Sequence, residues 1–173
     1  MELTGDRARQ SAAEPDAGRV PMELTGTVVH GGPAEGGRPA DGGYSAEGRL
    51  LVLGKPLSFW GGIDPLTGDI CDPRHPRHGD AVRGRILVME GTIGSSSSSA
   101  IMLELLRGGV APAGIVIARP DAILVLGILV ARELGYPTIP MLQVGVSGIA
   151  RLAKLDGRAA TLSGAVLRVG APR

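Results

Sequence analysis

The feature that most constrains the fold of this chain is an alternation of two apolar patterns between Arg85 and Leu142. Short apolar runs of strand length alternate with longer runs whose apolar residues recur at helical spacing. Asp121 is suited to cap the start of the second helical run, and Gly135 to end it. The pattern predicts strands at 85–89, 114–118 and 138–142, with helices at 98–107 and 122–134. This order is typical of an α/β domain with a parallel core sheet.

Further β structure is predicted on both sides of this core. Strands are expected at 24–30 and 49–53, before the alternating segment begins. After it, the Asp-Gly pair at 156–157 predicts the turn of a hairpin between 152–155 and 158–169. The expected fold class is therefore α/β, with a parallel core sheet and added β strands at both ends.

Composition narrows the class of protein. The 173 residues suffice for one domain at 22–173, and the polar, unpatterned residues 1–21 are predicted to be a disordered N-terminal extension. A net charge of +1 and an aromatic content of 2% give no basis for nucleic-acid binding. The longest apolar run, 122–131, is too short to span a bilayer. A single cysteine and no recognisable secretion signal indicate a cytoplasmic protein.

Five consecutive serines at 95–99 lie where the strand at 85–89 leads into the helix at 98–107. A helix that begins there leaves backbone N–H groups without intrahelical partners, and its dipole favours negative charge. The apolar flanks favour an ordered turn over the flexible linker that most serine runs form. The spacing from Gly91 to Gly94 is too short for a phosphate-binding P-loop, and no lysine follows. We predict a small anion site with a serine available as nucleophile or base.

A second candidate segment is the long stretch at 54–84, which has little regular pattern. Loops of this length inside compact domains usually bind ligands or partners. It holds the only Phe and the only Trp of the chain, Phe59 and Trp60, directly before Gly61 and Gly62. This arrangement predicts close packing on a ligand or partner, although a plug that pins the loop to its own domain is the alternative.

The same segment contains residue types that bind metals. Cys71, His75 and His78 could gather three ligands, but Pro73 and Pro76 stiffen the stretch and a fourth ligand is missing. We therefore predict no metal site in this chain. His75 is better suited to orient or bind an anionic substrate.

Two motifs together resemble the small subunit, or swivel domain, of the aconitase X family. The first is Pro-Leu-Ser-Phe-Trp-Gly-Gly at 56–62, continued by Asp-Pro at 64–65, Thr-Gly at 67–68 and His-Pro at 75–76. The second is the Gly-Ser-Ser-Ser-Ser-Ser turn at 94–99. Their order and spacing are more specific than either motif alone, and the resemblance runs from about Met22 to Val169.

The resemblance implies a swivelling β/β/α domain that forms a heterodimer with a larger subunit, with the active site at their interface. It also implies that an iron or iron–sulfur centre is held by the large subunit and that this chain binds no cofactor. In the wider superfamily a serine of a Gly-Ser-Ser turn removes the proton alpha to a carboxylate. Alignment on Gly94 makes Ser96 that catalytic residue. Ser97 stands where other members have a carboxylate-binding arginine, which suggests a different substrate.

The implied activity is that of a hydro-lyase, or dehydratase, on a small hydroxy acid. Two substrates stay open: cis-3-hydroxy-L-proline, which a composition typical of a GC-rich genome favours, and 5-phosphomevalonate. A non-catalytic partner-binding module with purely structural serines is the alternative of another class. Phe59 and Trp60 are predicted at the partner interface, and Ser98 and Ser99 inside the helix, away from the turn. The predicted substrate-binding residues are Gly94, Ser95, Ser97, Ser58, Gly61, Gly62, Asp64 and His75.

Overall fold

The structure is a computed structural model that describes residues 22–30 and 45–170. The strands are β1 (Met22–Thr25), β2 (Thr27–His30), β3 (Ser45–Val52), β4 (Ile86–Met89), β5 (Gly114–Ile117), β6 (Met141–Gln143), β7 (Ala159–Ser163) and β8 (Val166–Val169). The helices are α1 (Ser98–Arg107), α2 (Ala122–Glu133) and α3 (Gly145–Leu152), the last followed by a 3-10 turn at Ala153–Leu155. The predicted extension at 1–21 lies outside the described residues.

Within the described ranges the strands form one sheet in the order β1-β8-β7-β3-β4-β5-β6-β2. Strands β3, β4, β5 and β6 are parallel, whereas β1, β8 and β7 join β3 in antiparallel pairs and β2 pairs antiparallel with β6. This confirms the predicted α/β class, with a parallel core and β strands added at both ends.

The centre of the sheet is buried on both faces, as the continuous apolar runs of β4 and β5 predict. Alternate side chains of β4 enter different apolar clusters because successive strand residues point to opposite faces. Leu87 and Met89 pack with α1, α2 and the segment after β3, whereas Ile86 and Val88 pack on the face that α3 covers. The molecule therefore has helices on both faces, and the carboxyl ends of the parallel strands share one edge.

Helices α1 and α2 cross closely on the first face, and a glycine makes the approach possible. A Cβ placed on Gly127 would lie 2.5 Å from the carbonyl oxygen of Ser99 and 2.9 Å from the Cβ of Met102. Any larger residue would therefore force the helices apart. At the start of α2 the Asp121 carboxylate accepts the Ile123 N–H at 2.8 Å, as the predicted N-cap.

Two predictions about the β structure were wrong. The hairpin is formed by β7 and β8, not by 152–155 with 158–169, and residues 145–152 form helix α3. The strand predicted at 24–30 is interrupted at Gly26, and its halves β1 and β2 lie at opposite edges of the sheet. Gly26 permits this because a Cβ there would lie 2.2 Å from the carbonyl oxygen of Gln143.

Asp156 fastens the long 54–84 segment to the sheet. One carboxylate oxygen accepts the Val52 N–H at 2.9 Å, and the other lies 2.5 Å from the guanidinium of Arg77. Arg77 also donates through Nε to the carbonyl oxygen of Val52 at 2.8 Å. Burial acts to raise the pKa of the Asp156 carboxyl, but the hydrogen bonds and charge of these neighbours outweigh it and lower the pKa.

Because the folded state lowers its pKa, ionised Asp156 stabilises the fold above its unfolded pKa, and this contribution is lost as pH falls below about 4. We expect Asp156→Asn to lower the urea unfolding midpoint at pH 7. The further decrease of that midpoint between pH 6 and pH 3 should be smaller in Asp156→Asn than in wild type. Urea unfolding of both proteins at these pH values measures the effect. Asp80→Asn, which removes the longer 3.5 Å contact with Arg77, is the control and should change little. Equal acid sensitivity of wild type and Asp156→Asn would contradict this.

Candidate active site

The two segments that the sequence singled out lie against each other. Leu57 forms a parallel bridge with Thr92, and the Ile93 N–H donates to the carbonyl oxygen of Leu57 at 3.4 Å. The Trp60 N–H donates to the Oγ of Ser98, in the first turn of α1, at 3.3 Å. The aromatic segment and the serine turn therefore form one site at the carboxyl edge of the parallel strands.

Ser58 lies at the centre of this contact, between two glycines. A Cβ on Gly94, whose φ is +103°, would lie 2.4 Å from the Oγ of Ser58. A Cβ on Gly62 would lie 2.2 Å from the carbonyl oxygen of Ser58. The Ser58 hydroxyl itself donates to the carbonyl oxygen of Trp60 at 2.8 Å. The structure therefore explains Gly94 and Gly62 by close packing, and it places Ser58 directly beside the serine turn.

A cleft of about 340 Å³ opens beside the turn. It lies beyond the carboxyl ends of β4 and β5, where ligands usually bind in α/β sheets. One wall is the serine turn and the other is the start of α2. The lining residues are Pro56, Gly91, Thr92, Ile93, Gly94, Ser95, Ser98, Arg119, Pro120, Asp121, Ala122 and Ile123.

The hydrogen bonds of the turn distinguish among the five serines. The Ser97 N–H donates to the Oγ of Ser95 at 3.2 Å, and the Ser98 N–H to the carbonyl oxygen of Ser95 at 3.0 Å. The Ser99 hydroxyl donates to the carbonyl oxygen of Ser96 at 2.9 Å. Within the described residues, the N–H groups of Ser95 and Ser96 have no acceptor. The turn thus keeps free donors, and it directs a further donor to the Oγ of Ser95.

Ser95 and Ser98 line the cleft and Ser96 does not, although Ser95 and Ser96 are both exposed. Ser95 is therefore a second candidate for the reactive hydroxyl beside Ser96, the residue that the resemblance selects. The expectation that Ser98 points away from the turn was wrong. Its side chain is buried, lines the cleft and accepts the Trp60 N–H.

The adjacent aromatic residues Phe59 and Trp60 have opposite environments. The Phe59 side chain is 0% exposed and belongs to the apolar cluster beneath α1 and α2. Its predicted place at a partner interface is therefore incorrect, and the alternative of a plug into the domain's own core applies to it. Trp60 is 56% exposed and stays available to a partner.

His75 and Asp64 hold their own segment together. The buried His75 ring accepts the Arg77 N–H on Nδ1 at 3.1 Å, and its Nε2 lies 3.3 Å from the carbonyl oxygen of Lys55. Both ring nitrogens are therefore occupied by backbone groups of the domain itself. Asp64 accepts the Leu66 N–H at 2.8 Å in a tight turn. Neither residue lines the cleft, and the geometry gives both of them structural roles.

The same segment offers no ligand set for a metal. In the two described ranges, no three His, Cys, Asp or Glu side chains lie close enough together to hold an ion. Cys71 is exposed and its thiol lies 3.6 Å from the carbonyl oxygen of Gly61. Gly61 has a positive φ of +74° and open space at its Cβ position. Gly61 therefore serves the turn conformation, and nothing places it against the cleft.

Sequence reasoning did not assign to the site the two charged residues that line the cleft, Arg119 and Asp121. The hydroxyl of Thr92 donates to one carboxylate oxygen of Asp121, while the other oxygen caps α2. This ties the strand before the serine turn to the start of α2. Arg119 lies two residues beyond the end of β5, next to the strand that leads to the serine turn, and this position is the signal that could have identified it.

A parallel α/β sheet with added antiparallel strands, and a serine turn at its carboxyl edge, defines a swivel-type domain. The family model described as the aconitase X swivel domain matches residues 36–163. The chain belongs to this family.

The similar proteins are dehydratases or their subunits. Over 97 residues the chain is 45% identical to a cis-3-hydroxy-L-proline dehydratase of Pseudomonas aeruginosa, covering 56% of this chain but 17% of that enzyme. It is 34% identical to a phosphomevalonate dehydratase small subunit of Pyrococcus furiosus, covering 79% of this chain and 90% of that protein. The crystal structure of holo aconitase X from Thermococcus kodakaraensis aligns with a TM-score of 0.68 and 26% identity, covering 86% of this chain and 98% of that chain.

In the described part of the chain, no helix is long and apolar enough to cross a membrane.

Proposed function

We propose that this chain is the small, swivel subunit of a two-subunit hydro-lyase that dehydrates cis-3-hydroxy-L-proline in the cytoplasm. The observation that carries the proposal is the cleft at the carboxyl edge, into which the family's serine turn presents Ser95. The 45% identity to a named cis-3-hydroxy-L-proline dehydratase supports the substrate. A second substrate, 5-phosphomevalonate, is supported by the relative that is named as a small subunit and is matched over 90% of its length.

Ser95 is the group that we propose removes the proton alpha to the substrate carboxylate. A serine hydroxyl is a weak base unless negative charge on its oxygen is stabilised. The Ser97 N–H already donates to this oxygen, and the free N–H groups of Ser95 and Ser96 stand at the start of α1. Fixed donors and the helix dipole at one point stabilise such a charge by a few kcal/mol, about what one oxyanion donor contributes.

The other half of the reaction is assigned to the partner. The described residues offer no ligand set for an iron centre, so we propose that the iron or iron–sulfur centre belongs to a large subunit. Ser95 takes the proton, and the electron pair of the broken C–H bond forms the new C=C bond. Hydroxide leaves the adjacent carbon, so that the proton and the hydroxide together make up the water that is lost. This chain supplies proton removal and one wall of the site.

An apolar rim marks where the large subunit would dock. Trp60 and Ile93 are both exposed, and both belong to the segments that meet at the serine turn. Exposed aromatic and aliphatic side chains around a polar cleft are typical of interface centres. A partner seated on this rim would cover the cleft and exclude water from it.

The test is to express the chain alone and together with a large subunit of the aconitase X type, then assay both substrates. We expect no dehydration by the chain alone, because half of the site is missing. The complex should dehydrate cis-3-hydroxy-L-proline, with product formation followed by chromatography. Activity of the lone chain, or an inactive but fully assembled complex on both substrates, would contradict the proposed function.

A further inference from the structure

We propose that Arg119 binds the substrate carboxylate inside the cleft, across from the serine turn, and so fixes the carbon that loses its proton. This inference rests on the proposed function and adds a positioning residue to it. Of the described residues that line the cleft, Arg119 is the one cation.

The backbone of Arg119 is held firmly at the edge of the sheet. Its N–H donates to the carbonyl oxygen of Glu90 at 3.0 Å, which extends the pairing of β4 and β5 by one residue. Pro120 and the capping Asp121 follow at once and lead into α2. The side chain therefore starts from a fixed point between the two walls of the cleft.

The guanidinium lies over the strand end that leads to the serine turn. A Cβ placed on Gly91 would lie 3.9 Å from Nε and 4.0 Å from one terminal nitrogen of Arg119. Gly91 itself is buried, and the guanidinium lies at van der Waals distance from its Cβ position. This brings the charge of Arg119 close to the end of β4, from which the chain leads into the serine turn.

Among the described residues, no close ion pair neutralises the charge of Arg119. Its nearest carboxylate, Glu90, lies 3.9 Å away, which is too long for a hydrogen bond. With these side chains 69% and 55% exposed, the pair is screened by water and contributes little. Within the described part of the chain Asp121 forms no ion pair with Arg119, and its two oxygens accept from Thr92 and from the Ile123 N–H. The guanidinium keeps its donors for a ligand.

The chemistry of the cleft favours a carboxylate as that ligand. A guanidinium presents parallel N–H donors that match the two oxygens of a carboxylate. Negative charge moves onto the carboxylate when the proton on the adjacent carbon is removed, so a cation there stabilises the product of that step. A volume of about 340 Å³ is at the small end of ligand sites, as a small hydroxy acid requires.

The inference is tested in the assembled complex with Arg119→Gln and Arg119→Lys. We expect Arg119→Gln to raise KM about 10- to 100-fold, the size of a lost charge-assisted hydrogen-bond pair, with a smaller change in kcat. Arg119→Lys keeps the positive charge but loses the paired N–H donors of the guanidinium, so its KM should lie between those of wild type and Arg119→Gln. Arg74→Gln is the matched control, because Arg74 is exposed, pairs with Asp72 and lies outside the cleft.

A second readout separates carboxylate binding from a structural effect. L-Proline and L-prolinamide are compared as competitive inhibitors of cis-3-hydroxy-L-proline dehydration. The wild-type complex should bind the acid more tightly than the amide, and Arg119→Gln should lose most of this preference while Arg74→Gln keeps it. If the complex acts on phosphomevalonate instead, mevalonate and its amide replace L-proline and L-prolinamide as the pair of inhibitors.

The outcomes distinguish this inference from the proposed function. A wild-type complex without dehydratase activity overturns the proposed function. An active wild-type complex in which neither Arg119 variant changes KM or the acid-over-amide preference overturns the role of Arg119 alone. If Arg119→Gln fails to assemble, the preference measured in Arg119→Lys decides, and an unchanged preference there counts against the inference.

Discussion

Ser95→Ala in the reconstituted complex is expected to lower kcat about 100-fold or more, in line with loss of a general base. KM should change much less, because the hydroxyl acts on the proton and the cleft walls remain. The fold should survive, since the Oγ of Ser95 accepts one backbone hydrogen bond at the exposed start of α1, worth about 1 kcal/mol. Single-turnover kinetics and thermal unfolding of the same preparation measure the two effects.

Ser96→Ala is the matched control, one residue away in the same turn. Ser96 lies outside the lining of the cleft, so its hydroxyl should contribute little to kcat. Ser98→Ala should have a different effect, because it removes the acceptor of the Trp60 N–H and loosens the contact between the two segments. Loss of activity in Ser96→Ala with near-normal activity in Ser95→Ala would return the catalytic role to Ser96. If each single alanine substitution at 95–99 leaves activity unchanged, the serine turn has a structural role only.

The sequence predicted the centre of the fold well, because β4 and β5 are short apolar runs that can be buried only between two helical layers. It failed at α3, where Gly145 and Gly148 lower the helix propensity of an eight-residue segment. The Asp-Gly pair at 156–157 does form a turn, with Gly157 at a φ of +74°. That turn joins the 3-10 turn to β7, and a local turn signal carries no information on which elements it connects.

The site was only partly predictable for a similar reason. The serine turn is local, so its position between β4 and α1 followed from the pattern of the flanks. The opposite environments of Phe59 and Trp60 did not follow, because an irregular segment has no periodicity that assigns side chains to a face. Arg119 enters the cleft only because α2 starts beside the serine turn, which depends on tertiary packing around Gly127.

Phe59→Ala is expected to destabilise the domain by about 3–5 kcal/mol, the usual loss for a fully buried phenylalanine. Phe59 packs in the cluster that also contains Leu57 and Ile63 from the same segment and Met102 from α1. A cavity at this point would loosen the support of the serine turn as well. Urea unfolding gives the loss of stability, and a lower yield of assembled complex should accompany it.

Trp60→Ala, at the neighbouring position, should have the opposite profile. Trp60 is 56% exposed, so the free energy of unfolding should change by about 1 kcal/mol or less. If the rim of Trp60 and Ile93 is the docking surface, affinity for the large subunit should fall by at least about 2 kcal/mol, or roughly 30-fold, by calorimetric titration. Leu66→Ala is the matched control, an 84% exposed apolar residue of the same segment outside the cleft. Equal affinities for wild type, Trp60→Ala and Leu66→Ala would place the large subunit on another face, because an exposed tryptophan at an interface centre does not leave binding unchanged.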